Sequence, residues 1–174
     1  MKKIVTILLL ISIATGLAGC AEVSKVMKSD ATFSEKFKQF SSIVGNYFDR
    51  QSGTRAEAVK KHNYLGRGDL LEIDSASLTP DDVTPGGKME SVVQYTALAA
   101  REDQQVRITE TRTLQGDKES FQLNSREVVR SQGSHVSTMK FILPKDVAKG
   151  DYTLVTTISD GKNSRTVKNP LRVV

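Results

Sequence analysis

In the stretch Leu143-Pro144-Lys145-Asp146-Val147-Ala148-Lys149-Gly150-Asp151-Tyr152-Thr153-Leu154, one alternating pattern ends and another begins. Met139, Phe141 and Leu143 share one face before it, and Tyr152, Leu154, Thr156 and Ile158 share one face after it. A period of two marks strands with one buried face, so the stretch is read as a corner between two strands.

The same period extends outward over residues 69 to 174, with turn signals every eight to twelve residues, and seven strands can be read. Leu70 to Ile73 is the first. Pro85-Gly86-Gly87 turns the chain into a second, where Met89, Val93, Tyr95 and Ala97 alternate with mostly polar neighbours. Val106 to Leu114 is the third, closed by Gln115-Gly116-Asp117. Phe121 and Leu123, with Val128 and Val129, form a less regular fourth, split or bulged. The fifth follows Ser131-Gln132-Gly133-Ser134 and starts with His135 at its open end, on the face of Met139, Phe141 and Leu143. The sixth carries Tyr152 to Ile158. Asp160-Gly161 supplies the positive φ of a tight hairpin, and the last strand carries Val167, Leu171 and Val173. Pro170 belongs at an edge or bulge of that strand because it cannot donate to a ladder.

The Leu143–Leu154 stretch resembles the E to F corner of immunoglobulin-like and fibronectin type III-like domains, where an Asp-x-Gly-x-Tyr pattern leads into a strand. The resemblance implies a structural tyrosine corner in which the Tyr152 hydroxyl bonds back to the corner backbone. It also makes Thr79-Pro80 through Gly87 look like the A to B connection of bacterial modules of this kind. The chain has no Trp and a single Cys, so the antibody-type core of Trp on a disulfide is excluded. The expected fold is mainly β: a C-terminal Ig-like antiparallel β-sandwich of about seven strands, preceded by one or two N-terminal helices.

The N-terminus reads differently. Lys2 and Lys3 precede the apolar run Ile4 to Ile13, which ends in Ala14, Thr15 and Gly16, the layout of a secretory signal. Leu17-Ala18-Gly19-Cys20 resembles the lipobox of bacterial lipoproteins, which implies cleavage between Gly19 and Cys20 and lipidation of Cys20. Three acyl chains at about 0.8 kcal/mol per buried CH₂ make such an anchor permanent. Ala21 follows, where an inner-membrane retention signal often places Asp, so the resemblance to Gram-negative lipoproteins implies the outer membrane, with the domain facing either periplasm or exterior. Removing residues 1 to 19 leaves 155 of the 174 residues and lowers the formal charge from +5 to +3. Both signs are interspersed, an ordinary solvated surface that gives no support to nucleic-acid binding.

Four segments result: a signal peptide over 1–19, the lipidated cysteine and a polar tether over 20–32, a helical segment over 33–65, and the sandwich over 66–174. Thr32 and Glu35 have capping-box spacing, and Phe33, Phe37, Phe40, Val44 and Tyr47 recur at intervals of three and four. That stripe packs on the β-domain, the membrane interface or another chain. Gly53 interrupts it, and Thr54-x-x-Glu57 starts a short second helix toward His62. Gly45-Asn46-Tyr47-Phe48-Asp49-Arg50-Gln51 resembles the sequence that closes the glycine-zipper segment of outer-membrane lipoproteins of the 17 kDa surface-antigen type. The regularly spaced glycines that precede it there are missing here.

Catalytic chemistry is not signalled. His62 and His135 are the only histidines, neither lies in a nucleophile motif, and they lack HExxH spacing, so no catalytic residue, metal site or cofactor is assigned. Asp81-Asp82 reads as turn-forming acids before it reads as calcium ligands. Arg67-Gly68-Asp69 is an adhesion tripeptide that a Gly turn before a strand produces by chance. Lys162, Lys168 and Arg172 point outward on the last hairpin. The expectation is therefore a non-catalytic lipid-anchored envelope protein whose Ig-like domain binds another envelope protein, for example by strand addition. The alternative is a surface adhesin or a glycan- or peptidoglycan-binding lipoprotein, which predicts exposed aromatics on the domain.

Overall fold

The computed structural model describes residues 46–117 and 120–174. Among them are nine strands and one short helix: β1 (Tyr47–Gly53), α1 (Arg55–Lys61), β2 (Leu70–Thr79), β3 (Asp82–Val83), β4 (Lys88–Leu98), β5 (Val106–Gly116), β6 (Ser120–Arg130), β7 (Gly133–Ile142), β8 (Gly150–Ser159) and β9 (Ser164–Val173). One sheet has the order β1-β7-β4-β2 and the other β3-β9-β8-β5-β6. Every pairing is antiparallel except β3 with β9. With β2, β4 and β7 as strands A, B and E, and β9, β8, β5 and β6 as G, F, C and C′, this is an Ig-like sandwich. β1 is an extra strand beside E.

The inward alternation fills the space between the sheets. One apolar cluster gathers Leu78, Val83, Met89, Leu114, Met139, Phe141, Leu143, Tyr152, Leu154, Leu171 and Val173, with Leu123 and Val147. A second gathers Leu71, Val93, Tyr95, Ala97, Ala99, Val106, Ile108 and Ile158. At the corner the Tyr152 hydroxyl donates to the Ala148 carbonyl at 3.1 Å, four residues upstream. Gly116 packs against the same ring: a Cβ there would lie 2.7 Å from Tyr152 Cε1. The hairpin after β8 is closed by Asp160, whose carboxylate accepts from the Lys162 and Asn163 amides, with Gly161 at φ +87°. Pro170 faces Thr153 of β8 on one side, and β3 joins β9 only at Arg172 and Val173, so the proline's other side is an open edge.

Several expectations change. Tyr47 is on a strand, not on the helical stripe, because β1 gains a ladder with β7 that a helix at this place would forgo; residues 33–45 lie outside the described residues. Within 46–65 only Arg55–Lys61 is helical, started by a complete capping box between Thr54 and Glu57. The sandwich therefore recruits residues before 66. β2 runs to Thr79 and β3 forms inside the A to B connection; β1 and β3 together bring the strands from seven to nine. The fourth predicted strand is one element, β6, with a register irregularity opposite Arg112 and Thr113. His135 is not at an open end: it is flanked by β1 and β4, and buried against the Tyr95 ring.

Candidate functional site

The strand β5 reads Val106-Arg107-Ile108-Thr109-Glu110-Thr111-Arg112-Thr113-Leu114, and its inward face is Val106, Ile108, Glu110, Arg112 and Leu114. Two opposite charges thus enter the sandwich between its apolar clusters, and both are fully buried. Burying a charge is costly unless it is paired and hydrogen-bonded. Around these two the fold assembles Ser91 and Tyr95 from β4, Arg126 and Arg130 from β6, Ser137 from β7, and Tyr47 and Asp49 from β1.

Glu110 is the hub. Its Oε2 accepts from Ser137 Oγ at 2.6 Å and from Arg126 Nη2 at 2.8 Å and Nε at 3.1 Å. Its Oε1 accepts from the Tyr95 hydroxyl at 3.0 Å and lies 3.4 Å from Arg130 Nη2. Arg112 donates from Nη2 to the carbonyl and hydroxyl of Ser137 at 3.2 and 3.1 Å, and from Nε to Ser91 Oγ at 3.4 Å. Its Nη1 lies 3.5 Å from Glu110 Oε2 and makes no hydrogen bond. Asp49 closes the network from the edge: it accepts both Arg126 Nη1 and Nη2, at 2.9 and 2.6 Å, and lies 2.9 Å from Arg130 Nη2. The Arg126 guanidinium also sits over the Tyr47 ring, 3.7 Å from its centroid, and the Tyr47 hydroxyl points at Met139 Sδ at 3.2 Å.

The electrostatics follow from this geometry. Burial by itself would raise the Glu110 carboxyl, yet the Ser137 hydroxyl and the Arg126 and Arg112 guanidiniums outweigh it and hold its pKa below the ordinary value. Asp49 behaves alike, with burial outweighed by Arg126 and Arg130. Burial and the Glu110 charge push the Tyr95 phenol upward. Burial lowers His135, whose Nε2–H donates to the Ser131 carbonyl at 2.8 Å. Three guanidiniums face two carboxylates, so the network carries one net positive formal charge.

This network joins the two open strands on one side of the sandwich: β1 pairs only with β7, and β6 only with β5. Along β1 every residue but Tyr47 and Gly53 is exposed. Its end approaches β7 at Gly133, where a Cβ would stand 2.3 Å from the Gly53 carbonyl oxygen.

The residues singled out from sequence lie elsewhere. Gly19 and Cys20 fall outside the described residues. His62 caps α1, with Nε2 at 3.2 Å from both Thr96 Oγ1 and Asp74 Oδ1, under the helix on the outer face of the β4 sheet. Asp74 reaches it because the β2–β4 register shifts at that residue. Asp69 of the Arg-Gly-Asp tripeptide is engaged by Lys162 Nζ at 2.7 Å and the Ala100 amide at 3.2 Å. Arg172 pairs with Asp151 at 3.2 Å, and Lys168 is exposed. Among the described residues no cluster of three or more His, Cys, Asp or Glu is placed to hold a metal, Asp81 and Asp82 included. Tyr95, Phe141 and Tyr152 are buried, and the large exposed aromatic is Phe48 on β1. What sequence reading missed is the charged centre, whose signal is the pair Glu110 and Arg112 at inward parity among apolar residues.

No family model and no curated protein matches this chain. Similar solved structures include a β-glucosidase from Erythrobacter marinus, at 10% identity over 63% of this chain and 16% of that one, TM-score 0.46. The sporulation control protein from Bacillus subtilis matches at 14% identity over 61% of this chain and 49% of that one, TM-score 0.39. A CARDB domain from Pyrococcus furiosus matches at 17% identity over 62% of this chain and 90% of that one, TM-score 0.42. The fold assignment itself rests on the strand order above.

Proposed function

We propose that this chain is a non-catalytic lipoprotein of the bacterial outer membrane, anchored through Cys20, whose Ig-like sandwich binds another envelope protein by strand addition. The reading of location is supported by Leu17-Ala18-Gly19-Cys20 after a signal-like apolar run. The observation that carries the binding role is β1 itself. It lies on β7 as an added strand, exposed along most of its length, beside a second open strand of eleven residues, β6. Backbone pairing at an open edge supplies affinity, and side chains at alternate positions supply selectivity.

The test is cross-linking with mass spectrometry of the lipidated protein in its native membrane, against a Cys20→Ser control. Reproducible links from Lys140 or Lys168 of the sandwich to one envelope protein, lost in the control, are the expected result. Links confined to Lys25 and Lys28 near the anchor would remove the binding-module reading.

A further inference from the structure

If the sandwich binds by strand addition, one of its edges is better equipped for it than the others, and β1 marks it. We propose that the β7 edge is an acceptor site for an extended segment of a partner protein that carries an aromatic residue and, two residues later, a carboxylate, and that β1 is the resident occupant such a segment displaces.

Three observations carry this. First, the core does not need β1: neither apolar cluster includes a residue of it, and only Tyr47 packs against one of them. Second, the side chains that bind β1 into the sandwich are those of Tyr47 and Asp49, at alternate positions on its inward face, with Gln51 adding bonds to Ser131 and the Gln132 carbonyl at the rim. Third, β7 is already fixed by β4 over ten positions, from Lys88 opposite Ile142 to Ala97 opposite Gly133, so it stays ordered whichever strand lies on its other side.

Charge sets the selectivity. With β1 displaced, Arg112, Arg126 and Arg130 share Glu110 as their single carboxylate, and the partly exposed Arg126 and Arg130 face the vacated place. A carboxylate opposite Ser137, where Asp49 now lies, restores a bidentate partner for Arg126, and an aromatic opposite Met139 restores the surface under that guanidinium. A basic residue at the carboxylate position would meet the guanidiniums at hydrogen-bonding range and be rejected.

The test uses the full-length lipidated chain in detergent and a dye-labelled peptide with the sequence of residues 46–53, read by fluorescence anisotropy. The Asp49→Ala chain, whose own β1 is weakened, is expected to bind the peptide saturably. The wild-type chain, in which β1 competes from a high effective concentration, is expected to bind it at least about tenfold more weakly. Replacing the peptide's aspartate by alanine should cost roughly tenfold on the Asp49→Ala chain, and replacing it by arginine should abolish binding. Asp49→Asn serves the same comparison if Asp49→Ala does not fold. Absence of saturable binding to a cooperatively folded variant, or binding indifferent to the peptide's carboxylate, overturns the proposal. Cross-links from sandwich lysines to one envelope protein, found together with no peptide binding, would leave the broader strand-addition reading standing and remove this one.

Discussion

Glu110 shows how one residue can set the behaviour of a domain. It is fully buried and touches three arginines, a serine and a tyrosine, so its loss leaves the fully buried Arg112 without a carboxylate. Glu110→Ala is expected to cost about 3–5 kcal/mol in urea unfolding at pH 7. The double variant Glu110→Met, Arg112→Met should lose less, because it removes the most deeply buried orphan together with its partner. A double variant weaker than the single would contradict this account of the buried pair. Acid should act through the same group. Glu110, Asp49 and His135 all have folded pKa values below their ordinary 4.5, 3.8 and 6.5. The unfolded chain then binds more protons, and stability falls as pH drops. Unfolding midpoints should decline first below about 6.5, a step that His135→Gln removes, and again below about 4.5 as Glu110 and then Asp49 lose their advantage. A midpoint rising on acidification would show the sign to be wrong.

At the scale of elements, β1 and α1 are held by different means. β1 is fastened by a ladder and the Asp49 bidentate pair. In hydrogen exchange, Asp49→Ala should raise the exchange of amides in the β1–β7 ladder by about tenfold or more while those between β4 and β7 hold, since opening of β1 leaves the core intact. α1 is two turns long and depends on its N-cap. Thr54→Ala should destabilise it by about 1 kcal/mol, visible as faster exchange of the helix amides. Most strands were legible because alternation of apolar and polar side chains is local. β1 was not, because its inward side chains are Tyr47, Asp49 and Gln51, which gain their meaning only when β6 and β7 bring Arg126, Arg130 and Met139 to them. β3 was not, because two residues carry no period.

For the whole molecule, location and partner are the quantities to measure. On the proposed reading of Cys20 as the lipid anchor, Cys20→Ser is expected to shift the protein from the membrane fraction to the soluble fraction of lysed cells and to remove the mass of the acyl chains. Membrane retention of the variant would require a second attachment.

The sequence by itself determined the β-sandwich class, the corner before Tyr152 and the capping box at Thr54. Each depends on residues within a few positions of one another, where periodicity and short-range hydrogen bonding act. Only the tertiary structure decided that Glu110 and Arg112 are partners in the interior, that Asp49 pairs with Arg126 and Arg130 from 61 residues earlier in the chain than Glu110, and that residues 47–53 form a strand. Charge pairing and strand addition act through space. Which distant segment supplies the counter-charge or the neighbouring backbone is fixed only when the two sheets close on one another.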